Sequence, residues 1–154
     1  MKQIKKGNFK LVGLKLENKT TNENGRSSID CGNLWQKFET EKIVERIPHK
    51  LSEEIYAVYY DYETDETGTF SYFIGCRTEE HSKTPIELNE LLIPSQTYKK
   101  VVAKGAMPSC IAAAWKNIWT SERNRKFGFD FEVYDERSRD WNNAEIDIFI
   151  SVNE

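Results

Sequence analysis

Histidine and cysteine are scarce in this chain: the 154 residues include two histidines and three cysteines. No two cysteines have CxxC spacing, and neither histidine has a ligand partner at helix or turn spacing, so the sequence does not indicate a zinc site. Cys31, Cys76 and Cys110 are odd in number and far apart, which argues against a disulfide framework and favours a reducing compartment. We expect no metal and no cofactor.

Long apolar runs and an excess of positive charge are also missing. No segment approaches the ~20 apolar residues of a membrane span, and no apolar stretch of the secretory type follows the basic start of the chain. We therefore expect a cytoplasmic protein without membrane contact, with residues 1–8 as a frayed terminus. The formal net charge of −3 argues against direct nucleic-acid binding, because phosphate contacts need a basic surface.

What the chain does contain is an internal repeat within a single domain over residues 1–154. The first unit is interpreted as a strand over 9–16, a polar loop over 17–30, a helix over 33–47 capped by Asn33, and strands over 55–62 and 70–76. The second is interpreted as a strand over 91–104, a helix over 109–122, and strands beginning near 130 and 143. The pattern predicts an α+β fold in which duplicated βαββ units form an antiparallel sheet with two helices on one face. The opposite face is expected to be exposed, with a ligand cleft at the pseudo-two-fold axis.

The last two strands combine acidic and aromatic residues with a period of two. A polar turn over 138–142 joins them, so we expect an antiparallel pair. If the acids of both strands project to the same side, one face of the pair carries Glu132, Tyr134, Glu145, Asp147 and Phe149.

The two units differ at one informative position. Ala57-Val58-Tyr59 resembles Glu132-Val133-Tyr134, and the residues after Trp35 resemble those after Trp115. Glu132 therefore replaces an alanine in the repeat. Periodicity alone leaves open whether this carboxylate is solvated on an open sheet face or lies in a pocket.

Several motifs follow one another in a characteristic order: Tyr56–Glu63 with Gly68, Phe73–Cys76, Leu92–Tyr98, Gly105–Pro108 with Trp115 and Trp119, and Phe131–Asp135. Together they resemble the GyrI-like effector-binding family, which includes the ligand-sensing domains of AraC-type and multidrug-sensing transcription regulators and stand-alone relatives. The similarity extends over about residues 9–152. It implies the same duplicated fold with a cleft at the pseudo-axis.

The resemblance also implies a binding site. Multidrug-sensing relatives place a carboxylate from a late strand at the base of an aromatic pocket, where it attracts lipophilic cations. Glu132 matches that position, and Glu145 and Asp147 match positions that line the same cleft. This sequence departs from the family in having Ser151 where a proline is usual. It also has no helix-turn-helix before the first strand, so DNA binding in cis is not expected.

Aromatic residues supply the other candidate ligand contacts. Those from strands are Tyr59, Tyr98, Tyr134 and Phe149, and Trp35 is a candidate for closing the cleft from the first helix. Trp115 and Trp119 lie on an apolar helical stripe, so they fit a hydrophobic core as well as a ligand platform.

These observations favour a stand-alone small-molecule effector-binding protein linked to transcription regulation or drug sensing. No Ser/His/Asp, Cys/His or phosphate-loop pattern is present, yet a hydrolase acting on electrophilic compounds, with Glu132 as general base, stays open. A protein–protein inhibitor of DNA gyrase is a further alternative. The sequence leaves the ligand, the oligomeric state and any regulator partner unspecified.

Overall fold

The computed structural model describes residues 3–154 as one large antiparallel sheet with helices packed against it. The strands are β1 (Gln3–Lys6), β2 (Phe9–Lys15), β3 (Thr20–Thr21), β4 (Ile55–Tyr60), β5 (Thr69–Thr78), β6 (Asn89–Ile93), β7 (Gln96–Gly105), β8 (Asp130–Tyr134) and β9 (Ala144–Ser151). The α-helices are α1 (Arg26–Thr40), α2 (Ile43–Arg46) and α3 (Ser109–Ser121), and short 3₁₀ turns cover Glu23–Gly25 and Glu136–Ser138. No helix within residues 3–154 is long and apolar enough to cross a membrane.

The strand order confirms the duplicated α+β architecture. The sheet runs β1-β7-β9-β8-β4-β5-β2-β6, with β3 paired to β5. One unit is β2-α1-β4-β5 and the other is β7-α3-β8-β9, and they meet at the antiparallel pair of β4 and β8. In that pair Ala57 lies directly opposite Glu132. The position at which the two units differ therefore lies on the pseudo-two-fold axis itself.

Both main helices pack on the same face of the sheet. Leu34 and Phe38 of α1 pack in one core cluster with Ala57, and Trp115 of α3 packs in another with Ile148. Tyr59, in β4, contacts both clusters. The helices thus flank the central strands and leave the axis between them.

The first helix differs from its prediction. It begins at Arg26, so the expected polar loop over 17–30 is wrong in its second half, and Asn33 is an interior residue. Its first turns lack an apolar stripe because they face solvent and the space between the helices, as the 60% exposure of Ile29 indicates. Lys42 has a φ of 51°, which interrupts the helix. The single helix predicted over 33–47 is therefore divided into α1 and α2.

The face of the sheet that carries no helices is buried, and not exposed as expected, because the sheet curls over it. β6 and β7 lie near opposite ends of the strand order, yet only residues 94 and 95 separate them. Three Cα–Cα steps span at most about 11 Å, so the sheet must curl until its ends approach each other. The curl encloses a second, largely aromatic cluster that includes Phe73, Tyr98 and Phe131, all at most 1% exposed.

Two further predictions are corrected at the sheet edges. The single strand expected over 91–104 is divided into β6 and β7 at Pro94, which has no N–H to continue a ladder. The N-terminus is not frayed from residue 3 onward, because β1 pairs with β7 from Gln3 to Lys6. Met1 and Lys2 lie outside the described residues.

A pair of glycines allows close strand contact within the curled sheet. Gly13 of β2 lies opposite Gly75 of β5, and a Cβ added to Gly13 would overlap the carbonyl oxygen of Ile74. We expect Gly13→Ala to lower the free energy of unfolding by about 2 kcal/mol or more, since a backbone neighbour cannot move aside easily. Urea denaturation measures the change.

Gly32→Ala is the matched control. Gly32 is an exposed residue of α1 with nothing within 4 Å of its added Cβ, so alanine is expected to stabilise the protein by ~0.5–1 kcal/mol. Equal stabilities for Gly13→Ala and the wild type would contradict the close approach.

Candidate functional site

A cavity of about 1470 Å³ lies between α1 and α3, over the central strands of the sheet. Its floor includes Tyr59, Tyr72, Glu132 and Tyr134, and its walls include Trp35, Ile111, Trp115 and Trp119. Concave, mostly apolar sites with a few convergent polar groups are typical of small-molecule binding. The cavity is large enough for a molecule with several rings.

Glu132 is the buried acid in the floor of this cavity. It is 2% exposed, and its carboxylate accepts hydrogen bonds from three neutral side chains. The Tyr59 hydroxyl donates to Oε2 over 2.9 Å and the Trp115 indole Nε1 donates to Oε2 over 2.7 Å. The Tyr134 hydroxyl donates to Oε1 over 2.6 Å. None of the ion pairs formed by residues 3–154 includes Glu132.

This environment perturbs the protonation of the whole cluster. Burial raises the pKa of Glu132 from its ordinary value, and the hydrogen bonds from Tyr134, Trp115 and Tyr59 oppose that rise. Burial, followed by the Glu132 charge, raises the pKa of Tyr59 and Tyr134 well above the usual value of 10.0. The tyrosines therefore keep their protons and remain donors, while the carboxylate has hydrogen bonds but no counter-ion among residues 3–154.

The repeat explains how these donors reach a single acid. Tyr59 and Tyr134 are counterparts in the two units, and both donate to Glu132. The tryptophans are also counterparts, but Trp35 donates its Nε1–H to the Tyr72 hydroxyl over 2.8 Å. The symmetric scaffold thus supports an asymmetric charge.

Aromatic rings surround this polar cluster in edge-to-face contact. The ring centroids of Tyr59 and Trp115 are 4.9 Å apart, and those of Trp35 and Tyr134 are 5.1 Å apart. Trp115 is 8% exposed, so it belongs to the helical core and to the cavity wall at once. Such packing fixes the ring orientations and adds ~0.5–1.5 kcal/mol per pair.

Four of the predicted contacts do not line the cavity: Tyr98, Glu145, Asp147 and Phe149. The expectation that the acids of the last two strands share one face is wrong, because Glu132 pairs with Ile148 while Phe131 pairs with Phe149. Directly opposed residues project to the same side of a sheet. The alternation therefore directs Glu145, Asp147 and Phe149 away from Glu132.

These four residues have other roles in the structure. Arg137 donates to Glu145 and to Asp147, over 2.8 Å in each case, and Lys104 and Lys100 also pair with these acids, so both have cationic partners. Tyr98 is fully buried within the curled sheet, where its hydroxyl accepts a hydrogen bond from Gln96 Nε2 over 2.6 Å. Its ring centroid lies 5.2 Å from that of Phe131.

The sequence reasoning missed Tyr72 and Cys31, which also line the cavity. Tyr72 lies directly opposite Tyr59 in the sheet, and the strand alternation in residues 70–76 could have identified it. Cys31 lies in α1, between the loop predicted over 17–30 and the helix predicted from Asn33. Burial, and then the nearby Glu132 charge, raises the pKa of its thiol, so it stays protonated and is a poor nucleophile.

Comparison with known proteins matches residues 4–152 to the family model described as Cass2, integron-associated effector binding protein. The integron cassette protein VCH_CASS2 of Vibrio cholerae shares 23% identity and a TM-score of 0.69, over 99% of this chain and 95% of that chain. SAV2435, solved bound to tetraphenylphosphonium, shares 20% identity and a TM-score of 0.78, over 99% of this chain and 93% of that chain. Both structures support the fold.

One relative among curated proteins carries a regulator name. YobU of Bacillus subtilis (strain 168), named as a transcriptional regulator protein, is 26% identical over 101 residues. The match covers 64% of this chain and 63% of YobU, so the chain matches less than two thirds of that relative's length.

The buried acid predicts a specific pH dependence of stability. Because the pKa of Glu132 is raised in the folded state above its ordinary 4.5, the folded protein holds a proton that the unfolded chain releases as pH rises. Its contribution to stability is therefore complete below pH 4.5 and is lost as pH rises through the folded pKa, with a slope of up to ~1.4 kcal/mol per pH unit. Glu132→Gln removes this loss, so the stability difference between variant and wild type should shift in favour of the variant as pH rises.

Urea denaturation from pH 4.5 to 7.5 tests this expectation. Glu145→Gln is the control, since that acid is half-exposed and paired with Arg137, and its difference from wild type should not follow the same curve. A flat difference between Glu132→Gln and wild type across this range would show that burial does not perturb the carboxyl group.

Proposed function

The chain belongs to the Cass2 family of integron-associated effector-binding proteins, and from that premise we propose that its cavity binds lipophilic organic cations. Glu132 is the charged contact in this proposal, with Tyr59, Tyr134, Trp35, Trp115 and Trp119 as the surrounding surface. The observation that carries it is a buried carboxylate at the floor of an aromatic cavity, with three neutral donors and no counter-ion in the part of the chain that the structure describes.

Electrostatics favours a cationic occupant. A carboxylate removed from water without a counter-ion costs several kcal/mol, and neutral hydrogen bonds offset only part of that cost. A unit positive charge about 4 Å away would gain ~4 kcal/mol at an effective dielectric of 20. Each ring face that contacts the cation adds ~0.5–2 kcal/mol.

The shape and chemistry of the cavity walls favour binding of a broad range of ligands over strict selectivity. Ring faces and aliphatic groups form most of the surface near Glu132, and they make few directional demands on a ligand. Charge and apolar area then determine affinity, so several molecules of different outline are expected to bind. The tetraphenylphosphonium complex of SAV2435, a relative with the same fold, supports a bulky apolar cation as the ligand class.

The regulatory role is also part of the proposal. A relative named as a transcriptional regulator supports a function in which ligand occupancy of this single domain is communicated to a regulator. In that case the domain acts as a cytoplasmic sensor of drug-like cations.

Tetraphenylphosphonium and tetraphenylborate provide a matched test, because they have nearly the same shape and opposite charge. The wild type is expected to bind the cation in preference to the anion, and Glu132→Gln should weaken cation binding roughly 10- to 100-fold. Isothermal titration calorimetry at low ionic strength measures both ligands.

Glu145→Gln makes the same chemical change outside the cavity, so it should leave both affinities unaltered. Equal affinity of wild type and Glu132→Gln for tetraphenylphosphonium would refute the electrostatic role of Glu132.

Incubation with electrophilic esters and epoxides, followed by mass spectrometry, separates binding from turnover. A product formed by the wild type and not by Glu132→Gln would instead support the hydrolase.

A further inference from the structure

A buried guanidinium lines the same cavity as Glu132. Arg125 follows α3, pairs with Val152 in a short β-bridge, and has a side chain only 3% exposed. It lines the cavity together with Tyr62, Glu66 and Phe70. The cavity is therefore lined by a guanidinium as well as by a carboxylate.

One side of this guanidinium is fully occupied. Arg125 Nη2 donates to Asp130 Oδ2 over 2.8 Å, and the Tyr62 hydroxyl donates to the same oxygen over 2.7 Å. The other oxygen, Asp130 Oδ1, accepts from the Ser151 backbone N–H over 2.7 Å and from its hydroxyl over 2.8 Å. Asp130 has its hydrogen-bond partners, and its charge balances that of Arg125.

The other side of the guanidinium lacks acceptors. Nε and Nη1 of Arg125 are buried without a hydrogen-bond partner among the described residues. Glu66 Oε2 is 4.0 Å from Nη1, which is beyond hydrogen-bond distance. A buried donor without an acceptor costs about 1–3 kcal/mol, and folded proteins leave few such groups.

Trp115 connects the two charged regions of the cavity. Its Nε1 donates to Glu132, and its ring centroid lies 5.9 Å from the guanidinium carbon of Arg125. Phe127 and Tyr62 hold the guanidinium on other sides, with centroid distances of 4.2 Å and 5.8 Å. A ligand lying along Trp115 would thus have the Glu132 carboxylate at one end and the Arg125 guanidinium at the other.

We propose that Arg125 determines specificity by donating a hydrogen bond to an acceptor on the ligand. This inference rests on the proposed function and narrows its ligand class. The preferred occupants are lipophilic cations that also carry a carboxylate or a similar acceptor some distance from the positive charge. Asp130 retains its own bond to Nη2, so ligand binding does not require the internal ion pair to break.

Rhodamine B and tetraethylrosamine test the proposal, because they share one cationic ring system and differ by the carboxylate that only rhodamine B carries. Binding is measured by fluorescence anisotropy at neutral pH. The wild type is expected to bind rhodamine B roughly fivefold or more tightly than tetraethylrosamine, even though Glu132 repels the added carboxylate.

Arg125→Lys keeps a cation beside Asp130 and removes the unpaired donors. It should reduce the preference for rhodamine B to about equal affinity and leave tetraethylrosamine binding unchanged. If Arg125 had only a structural role, the substitution would change the affinities for both dyes together or would change neither.

Glu66→Gln is a second variant, at a partly exposed turn where folding is not at risk. It removes the carboxylate whose Oε2 lies 4.0 Å from Nη1, so it should increase the affinity for rhodamine B relative to that for tetraethylrosamine. If Arg125→Lys fails to fold, this variant decides the proposal. Equal binding of the two dyes by the wild type, or an unchanged preference in both variants, would overturn the role of Arg125, whereas failure of the wild type to bind either dye would overturn the proposed function.

Discussion

A single carboxylate that is removed from water, with no counter-ion from the described residues, is the constraint on which the rest of this structure depends. Glu132 is tolerable in the floor of the cavity only because two hydroxyls and an indole N–H converge on it. Those donors come from β4, β8 and α3, so the position of the acid determines how closely the helix must approach the central strands. The surrounding rings hold the donors in place and exclude water, which strengthens the field of the charge.

The curled sheet supplies the second half of this environment. Residues 130–133 of β8 are buried, although only one face of this strand is covered by helices. Phe131 on the reverse face packs with Phe73 and Tyr98 inside the curl. The two-residue link between β6 and β7 therefore affects the site indirectly: it closes the reverse face and shields the floor from water on that side.

Much of the fold could be predicted from the sequence, because the repeat and the alternation of apolar residues are strong local signals. The prominence of Glu132 was also predictable, since it replaces Ala57 in an otherwise similar segment. The pairing of β8 with β9 was not, because residues 135–143 include a 3₁₀ turn, and the length of such a loop does not determine which residues lie opposite each other. A shift of one residue was enough to assign Glu145 and Asp147 to the wrong side.

Non-local contacts account for the remaining differences. The curl of the sheet depends on the ends of distant strands meeting, and no local pattern encodes it. In the sequence Arg125 is one of three cations, with Arg123 and Lys126, that follow α3, and its burial depends on Asp130 and on rings from other elements. Tyr98 lies in the aromatic cluster inside the curled sheet and not in the cavity. The alternation of a strand indicates that its residues project to two faces, but it does not indicate which face holds the cavity.

The pairing of Ala57 with Glu132 at the axis has an evolutionary consequence. A homodimer of single units would place identical side chains at that point, and two glutamates with Cβ atoms ~5 Å apart would repel each other or share one proton. Fusion of the two units into one gene removes that restriction, because each copy can then mutate independently. An unpaired charge at the centre of a symmetric scaffold is a feature that covalent tandem duplication allows and self-association of one small unit does not.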